Sequence, residues 1–256
     1  MENIFEFKNV SFKYKQKLFR KPDDFSIKNV NLSMEAGYIM GLVGKNSAGK
    51  STLVDLLGRQ LKNYEGDIYV DGKNIKDNRR YLFDNVAFIS ETQVFYNRLN
   101  CDANGDMLGV YFSNWDEELF GKTLTKLKVP RYTQVDKLSK GEFIKFQFAF
   151  AIARKPKLLV MDEPTAGLDP VFRREFLDRL QGLVEEYNTS VLFSTHITSD
   201  LDKVADYIAL VDNGEIVFKK DIEQLRDEYG KEFHINNLFK YSINNVEAEY
   251  GPTKIH

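Results

Sequence analysis

Three observations predict an α/β fold for this 256-residue sequence, in which helices cover a parallel sheet. Apolar runs of buried-strand type recur at 86–89, 158–161, 191–193 and 208–211, the later ones separated by helical stretches. A further run at 38–43 leads into a glycine-rich loop and then into Leu53, Val54, Leu56, Leu57 and Leu61 at helical spacing. Ahead of these, Phe5, Phe7, Val10, Phe12 and Tyr14 alternate with polar residues, and Asp71-Gly72 between Ile68/Val70 and Ile75 reads as a hairpin turn. These segments predict a small antiparallel sheet.

The loop is the most specific element. GKNSAGKST, residues 44–52, fits the pattern G-x-x-x-x-G-K-[ST], which a random chain of this length would match about one time in a hundred. Gly44 and Gly49 let the backbone curl so that successive N–H groups face phosphate oxygens. Lys50 adds a point charge, Ser51 offers a hydroxyl to Mg²⁺, and Thr52 continues a helix whose N-terminus favours anions. A glycine-rich turn without a ligand is the plain alternative, and it leaves the strand, lysine and helix around the loop unexplained.

Bulk properties narrow the function. Lys and Arg total 36 against 38 Asp and Glu, so no basic excess argues for nucleic acid. Met1 is followed by Glu2 and Asn3 with no signal-like apolar stretch, and no window approaches 18 apolar residues, so the expected compartment is cytosolic. Cys101 is the single cysteine, which excludes an internal disulfide, and it reads as a packing residue. His234 and His256 lack metal-ligand spacing and read as surface residues, and Asn188-Thr189-Ser190 is an accidental glycosylation match.

One nucleotide-binding unit with a small insert suits the length. From 91 to 137 the pattern turns polar, aromatic and helix-like, with Asn100, Gly105, Gly109 and Gly121 as punctuation. Residues 142–153 are ambiguous, because Phe146, Phe148 and Phe150 fit period two while Phe143, Phe146 and Phe150 fit a helix; length and flanking signals favour helix. Asn213-Gly214 marks a late hairpin, the last thirty residues read as a mixed, polar-ended tail, and there is no internal repeat.

Downstream, Lys157 to Glu163 place two acids at the end of an apolar strand, where Asp162 can hold Mg²⁺ and Glu163 is left to activate a water. Taken alone, this would be a strand ending in solvated acids. Two more pieces accompany it: LSKGE at 138–142, and Ser194-Thr195-His196 after another apolar strand. Ser139 and Glu142 also spell a helix capping box, and a helix N-terminus presents free N–H groups to an anion.

In order and spacing, GKNSAGKST, LSKGE, LLVMDEPTAGLDP and STH are similar to the motifs of the ATP-binding subunits of ABC transporters, over about residues 3–225. The resemblance implies a phosphate-loop NTPase core with a parallel sheet, an N-terminal antiparallel β subdomain, a small helical subdomain at about 91–150 within a domain of residues 1–225, and a tail at 226–256. It implies ATP and Mg²⁺ as ligands, ATP hydrolysis coupled to transport, a second ATP-binding subunit in a homo- or heterodimer, and membrane-spanning subunits on a separate polypeptide. The place of action would be the cytoplasmic face of the membrane.

Carried over by residue, Gly44, Lys45, Asn46, Ser47, Ala48, Gly49, Lys50, Ser51 and Thr52 look like the nucleotide cradle, with Tyr14 stacking on adenine and Phe12 and Phe19 nearby. Ser51, Asp162 and Glu91 look like the Mg²⁺ residues, Glu163 like the general base and His196 like the switch histidine on the terminal phosphate. Ser139, Lys140, Gly141 and Glu142 resemble the signature that reaches a nucleotide held by the opposite subunit. Ala166, Gly167, Leu168 and Asp169 resemble the loop that crosses between subunits.

Two positions depart from the family pattern. Glu91 stands where glutamine is usual, with Gln93 two residues on, and Ser47 stands where glycine is usual, which implies strain if that position needs a positive φ. A soluble ABC-type protein acting on ribosomes or DNA is the alternative, although those usually fuse two cassettes or carry long coiled-coil inserts. A phosphate-loop GTPase or small-molecule kinase leaves LSKGE and His196 unexplained. The short insert with Asn114-Trp115-Asp116 and the LSKGE variant resemble a bacterial group linked to drug or antimicrobial-peptide export.

Overall fold

A computed structural model describes residues 2–14, 25–58, 61–90, 95–230 and 234–235. The chain opens with β1 (Asn3–Lys13) and β2 (Ser26–Glu35), then forms β3 (Ile39–Val43) and α1 (Lys50–Leu57), and returns to the first sheet with β4 (Glu65–Val70) and β5 (Lys73–Asn74). The antiparallel order is β2-β1-β4-β5. The apolar phase of β1 changes between Phe7 and Val10. A register irregularity lies there, with Asn9 at φ 50°, so the same face stays buried on either side of the break.

The second sheet grows as α2 (Arg79–Asn85), β6 (Val86–Ile89), α3 (Cys101–Gly109), α4 (Glu117–Lys126), α5 (Lys140–Ala153), β7 (Leu158–Asp162), α6 (Pro170–Tyr187), β8 (Ser190–Ser194), α7 (Thr198–Val204), β9 (Tyr207–Asp212), β10 (Glu215–Asp221) and α8 (Ile222–Tyr229) follow in turn. Its order is β10-β9-β3-β8-β7-β6, parallel except for β10. The predicted strands at 86–89, 158–161, 191–193 and 208–211 all lie in it. Both predicted hairpins form with two successive positive φ values, 48° and 71° at Asp71-Gly72 and 47° and 81° at Asn213-Gly214, the geometry that matches strand twist. The second of them adds β10 as an antiparallel edge to the parallel sheet.

Strand alternation divides the core in two. Met40, Leu42, Leu158, Val160 and Leu192 face α1 and the antiparallel sheet, whereas Ile39, Val43, Leu159, Met161, Val191 and Phe193 face the side of α5 and α6. The parallel sheet is thus covered on both faces, which is why its strands read as continuous apolar runs.

The ambiguous segment 142–153 is helical and lies in α5. Its phenylalanines defied one period because the helix is packed on several sides: Phe148 meets Phe176 of α6, while Phe146 and Phe150 meet Phe95, Trp115 and Phe120. Gly105, Gly109 and Gly121 are not punctuation, since they lie inside α3 and α4. A Cβ on Gly105 would sit 2.3 Å from the Phe120 ring and one on Gly109 2.3 Å from Trp115, so two of these glycines admit aromatic rings against the α3 backbone.

Candidate active site

The site lies at the C-terminal ends of the central strands β3, β7 and β8, where a parallel sheet opens into its loops. After Val43 the chain curls through Gly44 to Gly49 and enters α1 at Lys50. Gly44 passes so near β9 that a Cβ would lie 2.3 Å from the Val211 carbonyl oxygen. Ser47 has φ 65°, so the serine in place of glycine does occupy the left-handed region, a conformation that disfavours a side chain.

Lys50 is buried in this loop, its Nζ donating to the carbonyls of Gly44 at 2.8 Å and Lys45 at 3.0 Å. Burial lowers its pKa, while Glu163 and Asp162 push it back up, which places the two acids within electrostatic reach of the cradle. Thr52 is also buried, its Oγ1 lying 3.1 Å from the Tyr14 hydroxyl. Tyr14 therefore stands beside the cradle, with its ring edge-on to Phe12 at 4.9 Å.

Asp162 and Ser194 end the neighbouring strands β7 and β8 in register. The Ser194 hydroxyl donates to Asp162 Oδ1, and the Glu163 N–H donates to both Ser194 O, at 3.1 Å, and Ser194 Oγ, at 3.2 Å. Glu163 itself has φ 48°, which turns the chain sharply after the strand. Its carboxylate Oε2 lies 2.8 Å from His196 Nδ1. Glu163 and His196, which the sequence singles out separately, are thus brought together from the ends of adjacent strands.

Ser139 caps α5 as the sequence expects. Its Oγ accepts from the Glu142 N–H at 3.3 Å, and the Glu142 carboxylate accepts from the Ser139 N–H at 2.8 Å and hydroxyl at 2.7 Å. Ser139, first through its hydroxyl and then through its N–H, holds the Glu142 carboxyl below the usual carboxylate range. The loop 166–169 abuts this helix tip: a Cβ on Gly167 would lie 3.7 Å from Lys140 Cδ, and one on Gly141 3.9 Å from Leu168. Asp169 turns back to cap α6, accepting from the N–H groups of Val171 and Phe172. A cleft of about 250 Å³ separates Asp162, Glu163 and Pro164 from Lys140, Phe143 and Gln147.

Glu91 and Gln93 lie outside the described residues, as do Phe19 and His256. Cys101 is buried in the core, and desolvation pushes its thiol up to about 12, so it is inert at neutral pH. His234 is exposed, 3.4 Å from Asp202. Sequence reasoning missed Asp200, which is 1% exposed and bonds Thr165 and Arg173 behind the loop that follows Glu163. An acid on a short helix carries no sequence signal of burial.

The model of the family described as ABC transporter matches residues 27–166. The energy-coupling factor transporter ATP-binding protein EcfA2 of Clostridium perfringens is 31% identical, over 80% of this chain and 76% of that protein. The bacitracin transport ATP-binding protein BcrA of Bacillus licheniformis is 28% identical, over 84% of this chain and 72% of that protein. Among solved structures, a dimeric post-hydrolysis state of the ATP-binding cassette MJ0796 bound to ADP and Pi superimposes with a TM-score of 0.75 at 22% identity, over 85% of this chain and 98% of that one.

Proposed function

We propose that this chain, which belongs to the ABC transporter family, is an ATP-binding and ATP-hydrolysing subunit that powers a transporter by nucleotide-driven dimerisation, with the membrane-spanning part on another polypeptide. The convergence of Lys50, Asp162 and the Glu163–His196 pair at one end of the sheet carries the reading. The cradle of residues 44–52 receives the phosphates. Glu163 accepts the proton of the attacking water, and His196, held against it, orients that carboxylate and faces the terminal phosphate. Tyr14, beside Thr52, receives the adenine ring.

The donor set fits Mg²⁺. Asp162 and the Ser51 hydroxyl are hard oxygen ligands, and among the described residues no group of three or more His, Cys, Asp or Glu forms an all-protein cage. That suits a cation held by one or two protein oxygens together with phosphate and water. When bound, it neutralises phosphate charge. Glu91 would add a further carboxylate there.

Ser139 at the tip of α5 reaches the nucleotide of a second copy or a homologous subunit, and residues 166–169 cross between the two. The dimeric state of the MJ0796 cassette supports the pairing of two such subunits.

Among the described residues no helix is long and apolar enough to cross a membrane. In this reading the membrane part is a separate chain, which this one meets on the cytoplasmic face. A groove of about 720 Å³, floored by Phe83, Phe88, Phe112 and Phe150, suits that partner. Lys62, Arg79 and Arg154 line it without an acid among the described lining residues, and Arg154 Nε is buried without a partner. The occupant is a partner helix with an apolar face and an acidic residue. Two measurements test the proposal: release of phosphate from ATP by the purified chain, and co-purification of a multi-span membrane protein with the tagged chain that is lost on Arg79→Glu with Lys62→Glu. Absence of hydrolysis by the chain with its captured partner would refute it.

A further inference from the structure

We propose that Asp200 is a positioning residue for catalysis, holding the loop that follows Glu163 at the height the reaction requires. Asp200 lies on α7, which begins two residues after His196, and its carboxylate is 1% exposed. Thr165 Oγ1 donates to its Oδ2 at 2.7 Å, Arg173 Nε donates to its Oδ1 at 2.7 Å, and Arg173 Nη2 lies 2.6 Å from the same oxygen. Thr165 is two residues past Glu163, and Arg173 lies in the first turn of α6, just beyond Asp169. One carboxylate therefore holds both ends of the segment 165–173.

The anchor side is rigid. Leu201, next to Asp200, is fully buried and packs so closely on β3 that a Cβ on Gly41 would lie 2.3 Å from it. The Asp200 N–H donates to Ile197 O at 3.1 Å, the Ile197 N–H to Thr195 Oγ1 at 2.9 Å, and the Thr195 N–H to Leu42 O at 3.1 Å. Asp200 is thus tied through short steps to the strand that feeds the cradle.

The loop is tied to β8 at Glu163, whose N–H donates to Ser194, and to α6 at Asp169; between these ties the side-chain hold on Thr165 comes from Asp200. Glu163 is in the left-handed region, and the turn 163–168 carries the backbone bonds Ala166 N to Glu163 O at 3.2 Å and Leu168 N to Thr165 O at 3.2 Å. A buried carboxylate with three donors fixes geometry strongly, because the carboxylate and the Thr165 hydroxyl, both 1% exposed, would otherwise lack partners where water cannot reach. Asp200 is buried behind the loop, with its carboxylate taken up by Thr165 and Arg173. It acts through the loop, which carries Glu163 at one end and the subunit-crossing residues 166–169 beyond.

The inference rests on Glu163 being the base, and its test is separate from the test of that reading. Thr165→Val removes one donor at almost constant volume and leaves the Arg173–Asp200 pair in place. It should lower kcat about tenfold with the KM for ATP changed less than about twofold, and Thr165→Ser should restore the rate. Asp200→Asn should lower kcat further, with Asp200→Glu intermediate. In a Glu163→Gln background, Thr165→Val should raise the protein concentration at which ATP brings two copies together. Wild-type kcat in Thr165→Val overturns the proposal. So does a loss in which nucleotide affinity and thermal midpoint fall in step with kcat and serine does not rescue, since that is a folding defect. Hydrolysis by Glu163→Gln at the wild-type rate would instead remove the base itself, whatever Thr165→Val does.

Discussion

Oε2 of Glu163 and Nδ1 of His196 lie 2.8 Å apart, contributed by loops that follow two neighbouring strands. Each holds the other in place, because the Glu163 N–H is bound by Ser194 and the His196 N–H faces the same Glu163 oxygen at 3.4 Å. A base that must meet a water on one side and a phosphate on the other gains from such restraint. His196→Ala should lower kcat by about a hundredfold while nucleotide affinity changes little. Steady-state phosphate release and nucleotide titration check this, and an unchanged kcat would detach His196 from the reaction.

Lys50 bridges the carbonyls of Gly44 and Lys45, and the charges of Glu163 and Asp162 act on its ammonium. Lys50→Ala should weaken ATP binding by at least tenfold, roughly 1.4 kcal/mol. Titration with a fluorescent ATP analogue measures it. Equal affinity would show that the cradle works through its backbone alone.

Ser47 at φ 65° gives a prediction of opposite sign for two substitutions. Ser47→Gly should leave the thermal midpoint unchanged or raise it by about 1–2 °C, whereas Ser47→Val should lower it by several, since a β-branched residue tolerates this region least. Differential scanning calorimetry decides. Equal drops for both would mean that the hydroxyl, and not the backbone, governs the position.

The cap that Ser139 forms and the proposed contact with the opposite subunit's nucleotide separate by substitution. Ser139→Ala should cost about 1 kcal/mol through the lost cap, while Ser139→Asp should keep the cap and yet abolish hydrolysis by setting a negative charge against the phosphate of the opposite subunit. Urea unfolding and phosphate release together read both. An active Ser139→Asp protein would confine Ser139 to the cap.

Glu142 sets a pH dependence. Its folded pKa is depressed below the ordinary 4.5 by the Ser139 hydroxyl and N–H, so its share of stability is present above that value and is lost as pH falls through the folded pKa. The stability gap between the wild type and Glu142→Gln should therefore hold from pH 7 to about pH 5 and close on further acidification. Urea unfolding across this range measures it, and a gap that widens in acid would contradict the capping geometry.

Much of this was readable because the residues concerned act locally. The cradle is nine consecutive residues, both I′ hairpins are dipeptides with a left-handed requirement, and Ser139–Glu142 is a four-residue unit. The strands were readable because a sheet covered on both faces needs unbroken apolar runs. What escaped depends on partners far apart in the chain. Gly105 and Gly109 look like breaks until Phe120 and Trp115 are seen against them. Asp200 looks like a solvated acid until Thr165 and Arg173 close over it. The mixed period of α5 follows from α6 on one side and the aromatic insert on another, which no window of that helix contains.

In the proposed dimer one copy's cradle holds ATP and the serine-led tip of α5 in a second subunit closes over it. Sedimentation velocity of the Glu163→Gln protein with ATP and Mg²⁺ tests this most directly. The protein should sediment as a monomer without nucleotide and as a dimer with ATP, reverting to monomer when Ser139→Asp is added. A protein that binds ATP and stays monomeric at every accessible concentration, alone or with its captured membrane partner and companion subunit, would contradict it.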